Sequence, residues 1–184
     1  MSTRLILLAH GAVGLMREGG FPHPDAPLDA GGRAKIEALV WRGARATRMF
    51  HGPEAASRET AMLLRVAAQP AAPLADADHG DWAGRRFGEI HDEAFAAWLA
   101  DPAAGAPGGE PLESVTRRVG AWMDAQAAQD GSVAAVVSAT VVRAAVAHAL
   151  GIAAGATLRI DVAPLSTAEF SFNRVWRLQR LGDA

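Results

Sequence analysis

Four consecutive apolar residues, Leu5-Ile6-Leu7-Leu8, lead straight into Ala9-His10-Gly11. An unbroken apolar run of this length reads as a strand buried on both faces, which requires helices above and below a sheet. Gly11 suits the turn that ends the strand and leaves His10 at its C-terminal edge. Open α/β sheets place their ligands at that edge. A histidine there is equipped to act as nucleophile, general base or metal ligand.

The rest of the chain alternates in the same sense. A strand over 3–8 is followed by a Gly/Pro/Asp-rich loop over 12–30 and a helix at 31–41 with Ile36, Leu39 and Val40 as its apolar stripe. A short strand at 47–50 precedes a helix over 54–67. The stretch 70–86 is loop-like, with an extended piece near Leu74. A helix at 87–99 offers Phe87, Ile90, Phe95, Trp98 and Leu99 to the core. After a Gly/Pro/Ala loop at 101–111 come a helix at 112–128, a central strand at 133–137, and a helix at 141–150 stopped by Gly151. Segments 158–162, 167–172 and 175–181 read as extended. Strands alternating with helices predict a three-layer α/β/α sandwich with a mostly parallel central sheet.

The chain has 184 residues, which suits one domain spanning 1–184. Its net charge of −2 offers no basic excess for nucleic acid. It has no cysteine, so disulfides and thiolate chemistry are absent. The N-terminal apolar run is short and interrupted by His10, which argues against a signal peptide, and no segment has the length of a membrane span. The expectation is a cytoplasmic protein without cofactor or metal. Lys35 is the only lysine, so any strong cation in a site must be Arg or His.

Six motifs in order resemble the histidine phosphatase superfamily, the phosphoglycerate-mutase-like proteins, over nearly the whole chain. They are Ala9-His10-Gly11; Asp25-Ala26-Pro27-Leu28 with Gly31-Gly32-Arg33; Gly52-Pro53 with Glu59-Thr60-Ala61; Leu74-Ala75-Asp76 with Gly80-Asp81-Trp82-Ala83-Gly84; Gly109-Glu110-Pro111; and Val137-Ser138-Ala139-Thr140-Val141-Val142-Arg143. The resemblance implies that fold and a phosphoryl-transfer site. In such enzymes one His takes up the phosphoryl group, two arginines and a second His hold its oxygens, and a carboxylic acid protonates the leaving oxygen. A transferring phosphoryl group spreads negative charge over its oxygens, so positioning and cationic stabilisation do most of the work.

Carried over position by position, the resemblance keeps His10 as nucleophile and puts Asp76 at the acid. It puts Ala9 and Ala56 where the family has arginines, and Ser138 where it has the second histidine. Losing one preorganised donor from such a site costs roughly 10²–10³ in rate. The pattern therefore reads first as a fold that has lost phosphoryl transfer and binds either a small molecule, phosphorylated or not, or a protein. The alternative is an active phosphomonoesterase using His10 and Asp76, with Gly11, Ser138, Arg17, His51, Arg58 and Glu110 as candidate substrate-binding residues. Metal-assisted hydrolysis through His10 and the Asp76–Asp81 loop is a distant third. His23, between two prolines, reads as a surface residue, Trp82 as packing and Arg143 as structural.

Overall fold

The computed structural model describes residues 2–90 and 93–184. Its centre is a six-stranded sheet in the order β3-β2-β4-β1-β5-β6. The strands are β1 (Thr3–Ala9), β2 (Arg48–His51), β3 (Gln69–Pro70), β4 (Gly131–Val137), β5 (Ser166–Asn173) and β6 (Val175–Asp183). The first four run parallel; β5 is antiparallel to β1, and β6 to β5. β1 and β4 are the apolar runs that the sequence marks, and they pair at the centre, with Ala9 opposite Val137. Val133 to Val137 and Leu5, Leu7 and Leu8 are almost wholly buried, as strands with helices on both sides must be.

Among the described residues six α-helices surround the sheet: α1 (Gly14–Glu18), α2 (Ala30–Glu37), α3 (Ala55–Leu63), α4 (Glu93–Ala100), α5 (Leu112–Ala127) and α6 (Ala139–Leu150). Val115, Val119 and Met123 of α5 and Val141, Val142 and Val146 of α6 pack on one face with Leu5, Leu7 and Phe170. Ala61 of α3 joins Ile6, Leu8, Trp41 and Val136 on the other face. The result is the three-layer sandwich, and no helix among the described residues is long and apolar enough to cross a membrane.

Local chemistry sets the helix ends. α6 begins two residues earlier than the spacing predicts because the Ser138 side chain accepts from Val141 N–H as its N-cap. Such a cap contributes about 1 kcal/mol. α6 ends at Gly151 in the left-handed conformation, φ 62°. α3 stops at Leu63, short of the expected 67, because Arg65 turns to φ 57°. α2 ends at Glu37, which leaves Val40 91 % exposed instead of in the apolar stripe.

Four other segments differ from the sequence reading. The 12–30 loop contains the short α1. The piece near Leu74 is a 3₁₀ turn, Ala72–Leu74, and the extended pair lies earlier at Gln69–Pro70. The segment expected as a strand at 158–162 follows and overlaps a 3₁₀ helix, Ala154–Arg159, and forms no strand; Thr157 Oγ1 bonds back to Ala154 O at 2.6 Å, which favours the turn. The expected 87–99 helix opens as a 3₁₀ turn, Phe87–Glu89, and resumes at Glu93; residues 91 and 92 of that prediction lie outside the described residues. Phe21, Trp82, Ile90 and Ala106 form a separate aromatic cluster with Phe95 and Trp98, while Leu99 is 60 % exposed.

Candidate active site

β1 delivers His10 to the C-terminal edge of the sheet, where its backbone N–H donates to Val137 O of the adjacent β4 at 2.8 Å. The ring lies in a cavity of about 340 Å³ and is 7 % exposed. Its Nδ1 is 2.7 Å from Gly11 O. That contact suits Nδ1–H as donor to the carbonyl, which leaves Nε2 as the ring's free nitrogen. Gly11 has no space to spare, since a Cβ there would sit 2.7 Å from Ile36 Cδ1. Its N–H is taken by Thr60 Oγ1 at 3.1 Å, so it is not a free donor for a ligand.

Asp76 stands in the loop after the Ala72–Leu74 turn and also lines the cavity. Its Oδ1 accepts from Ser138 Oγ and from Ala77 N–H, both at 2.8 Å. Its Oδ2 lies 4.0 Å from His79 Nε2. Ser138 is thus occupied twice, by Asp76 and as the cap of α6, and it lies outside the cavity wall.

The loop carrying Asp76 is held from behind by Arg118 of α5. Its guanidinium donates to Pro73 O at 2.8 Å, Ala75 O at 2.7 Å and Asp76 O at 2.9 Å. It also grips Glu110 through two bonds of 3.0 and 2.8 Å. Glu110 therefore serves this clamp and does not line the cavity beside His10. Burial pushes its carboxyl up, but the bonds from Arg118 and Ser114 outweigh that and hold it below the usual range. Nothing local in the sequence distinguishes Arg118 from its neighbour Arg117; only the fold brings carbonyls some 40 residues away within its reach.

Glu54 is the second residue the sequence does not mark. It is 9 % exposed, lines the cavity, and its Oε1 accepts the backbone N–H of Asp76. Its Oε2 is buried without a hydrogen-bond partner. Gly52 makes room for it: a Cβ at 52 would collide with that oxygen. Burial pushes the Glu54 carboxyl above the usual carboxylate range; the bond from Asp76 N–H opposes this and the Asp76 charge adds to it. The available signal was a carboxylate two residues after a glycine at the end of a strand.

The remaining candidates lie elsewhere. Arg17 is bound to Asp29, Nε to Oδ2 at 2.5 Å, and exposed. Arg58 is exposed on α3, away from the cavity wall. His51 ends β2 with its Nδ1 2.6 Å from Gly52 O, repeating the His10–Gly11 contact, but its ring does not line the cavity. His23, read as a surface residue, stays half exposed and also lines the cavity. Trp82 is buried packing. Arg143 bonds Ile160 O at 3.0 Å, and burial lowers its pKa.

Among the described residues the cavity wall comprises three imidazoles (His10, His23, His79), three carboxylates (Glu54, Asp76, Asp78) and nine Val, Pro and Ala residues. It includes no Arg or Lys. Ala56, at a position where the resemblance calls for arginine, is part of this wall, and Ala9 is buried in the core. Among the described residues no group of three or more His, Asp and Glu is placed to hold a metal ion.

Residues 5–184 match the family model described as histidine phosphatase superfamily (branch 1). The bifunctional protein Rv2228c of Mycobacterium tuberculosis (strain ATCC 25618 / H37Rv) is 31 % identical over 187 residues, covering 91 % of this chain and 50 % of that protein. The chain thus spans about half the length of the curated relatives it matches. Among solved structures, the alpha-ribazole phosphatase from Shigella flexneri superposes with TM-score 0.83 at 19 % identity, covering 98 % of this chain and 96 % of that one. The mycobacterial glucosyl-3-phosphoglycerate phosphatase Rv2419c gives 0.84 at 19 %, covering both chains fully. A phosphoserine phosphatase from Entamoeba histolytica gives 0.83 at 15 %, covering 99 % and 98 %. At these identities the structural likeness speaks for the fold.

Proposed function

The chain belongs to the histidine phosphatase superfamily, and we propose that within it this protein has given up phosphoryl transfer and uses the cavity beside His10 to bind a small molecule. One observation carries the reading: among the described residues the cavity wall holds three carboxylates and no arginine or lysine. A phosphoryl group in transfer needs cations on its oxygens, and arginine supplies them best because its planar fork engages two oxygens at once. Ala9 and Ala56 remove both forks, and Ser138 brings a hydroxyl already committed to Asp76. Carboxylates at the wall add repulsion to what is missing.

A second reading, an active phosphomonoesterase, draws on the orientation of His10. The 2.7 Å contact from Nδ1 to Gly11 O is the arrangement a nucleophilic Nε2 needs. Asp76 would be its acid.

Hydrolysis of an aryl phosphate and a panel of phosphorylated metabolites by wild type and His10→Ala separates the two. The proposal expects no turnover that depends on His10, and no thermal stabilisation by inorganic phosphate. Turnover that disappears in His10→Ala establishes the phosphomonoesterase instead.

A further inference from the structure

Positive charge gathers at the opposite end of β1 from His10, about 20 Å away along the strand. A cavity of about 480 Å³ there is lined by Arg4, Arg42 and Arg45, with Ile6, Val40 and Trp41 as its main apolar wall. Among the described residues this wall holds no carboxylate, the reverse of the cavity beside His10.

The 3₁₀ turn Arg42–Arg45 places two of the arginines. Residues three apart eclipse in such a turn, so Arg42 and Arg45 project on one side. Gly43 seats the turn on the sheet: a Cβ there would collide with the indole ring of Trp41, which packs with Ile6 and Ala134. Both arginines are exposed, and among the described residues neither side chain has a hydrogen-bond or ion-pair partner. Arg4 adds a third guanidinium from β1. Its Nη2 donates to Glu169 at 2.6 Å, which orients the group and leaves other N–H donors free. The strand register sets Ser132, Arg4, Ser171 and Arg177 in one row on the same face, so the charge continues past the cavity. Glu169 also lies 3.8 Å from Arg180, so one carboxylate is shared by two arginines. In a chain of net charge −2, unpaired arginines collected on one face specify an anionic ligand.

Guanidinium forks match phosphate oxygens, and three of them around one space call for more than one phosphate group. The volume falls within the range of small-molecule sites, roughly 300–1,000 Å³. Val40, 91 % exposed at the lip, offers apolar surface to a ligand's body. We propose that this cavity binds an organic di- or triphosphate, its phosphates held by Arg4, Arg42 and Arg45 and its body against Val40. The site is separate from the His10 cavity and does not rest on what that cavity does.

The test is calorimetric titration of wild type and Arg42→Ala/Arg45→Ala with ATP, tripolyphosphate, orthophosphate and a single-stranded DNA oligonucleotide, at neutral pH and low salt. Both side chains are exposed and unpartnered, so the double variant is expected to melt like the wild type without ligand. ATP and tripolyphosphate are expected to bind the wild type, with affinity falling as salt is added. The variant is expected to lose about tenfold or more in affinity for both, the scale of one or more charge-assisted hydrogen bonds. Orthophosphate, too small to bridge the three guanidinium groups, is expected to bind neither protein. Equal affinity in wild type and variant overturns the site, as does orthophosphate binding as tightly as tripolyphosphate. Tripolyphosphate binding without ATP binding overturns the assignment of an organic ligand. An oligonucleotide that binds more tightly than ATP, with the same loss in the variant, overturns it in favour of a nucleic-acid strand.

Discussion

Gly52 and Glu54 share one space: the carboxylate Oε2 of Glu54 lies where a side chain at position 52 would begin. A Cβ there would also sit 2.8 Å from the Leu74 carbonyl oxygen and 3.3 Å from Ser57 Oγ. The backbone carbonyl cannot move away cheaply, so the carboxylate must. Gly52→Ala is therefore expected to destabilise the fold by about 1–3 kcal/mol, as overpacking does. Urea unfolding measures the loss. The double variant Gly52→Ala/Glu54→Ala should recover part of it, because the two residues are in direct contact and their effects are not additive.

Glu54 also links stability to pH. Burial raises its carboxyl in the folded protein, so the folded state holds this proton more tightly than the unfolded chain does. That contribution is fully present below the ordinary carboxylate range and is lost as pH rises through the raised value. Glu54→Gln removes the dependence. The variant is expected to melt higher than wild type at neutral pH, with each kcal/mol relieved appearing as about 2–4 °C in a chain of this size. The difference should shrink as pH falls below the ordinary glutamate range, and melting curves across that interval check the sign.

Arg118 is expected to behave as a fork and not as a point charge. It spans three carbonyls and the Glu110 carboxylate. Lysine cannot reproduce that set. Arg118→Lys should cost about 1–3 kcal/mol, the scale of buried acceptors left unsatisfied. Hydrogen exchange at the Asp76 and Ala77 amides should accelerate, because the clamp fixes the loop that carries them.

Ala56 lies at the cavity wall where the family resemblance calls for a cation. Ala56→Arg is expected to introduce stabilisation by inorganic phosphate that the wild type lacks, read as a phosphate-dependent rise in melting temperature. The variant without phosphate should melt lower than wild type, since Ala56 is buried and the larger side chain must find room.

How much of this was legible in the chain depends on the range of the interaction. β1 and β4 announced themselves because both faces of a central strand are buried and the residues report that directly. The order of motifs located the fold and brought His10 and Asp76 to one cavity. Gly151 and the end of α6 were legible because a left-handed cap is a local event. The 3₁₀ helix at Ala154–Arg159 was not, because its Thr157 bonds back to its own backbone where a strand would need a neighbour. Leu99 and Val40 were misplaced because apolar periodicity continued past the helix surfaces that actually found partners. Glu54 and Arg118 escaped for a different reason. Each acts through backbone atoms 20 to 45 positions away, and no periodicity records such a partner.

The repeated contact at the ends of β1 and β2 has an experimental consequence. His10 and His51 are both nearly enclosed, both followed by glycine, and both place Nδ1 against that glycine's carbonyl, at 2.7 and 2.6 Å. One ring faces the cavity and its twin does not. The molecule thus carries an internal reference for its own site. In a nitrogen-resolved NMR spectrum, a ligand seated in the cavity perturbs one imidazole of a matched pair, whereas a global change of the fold displaces both.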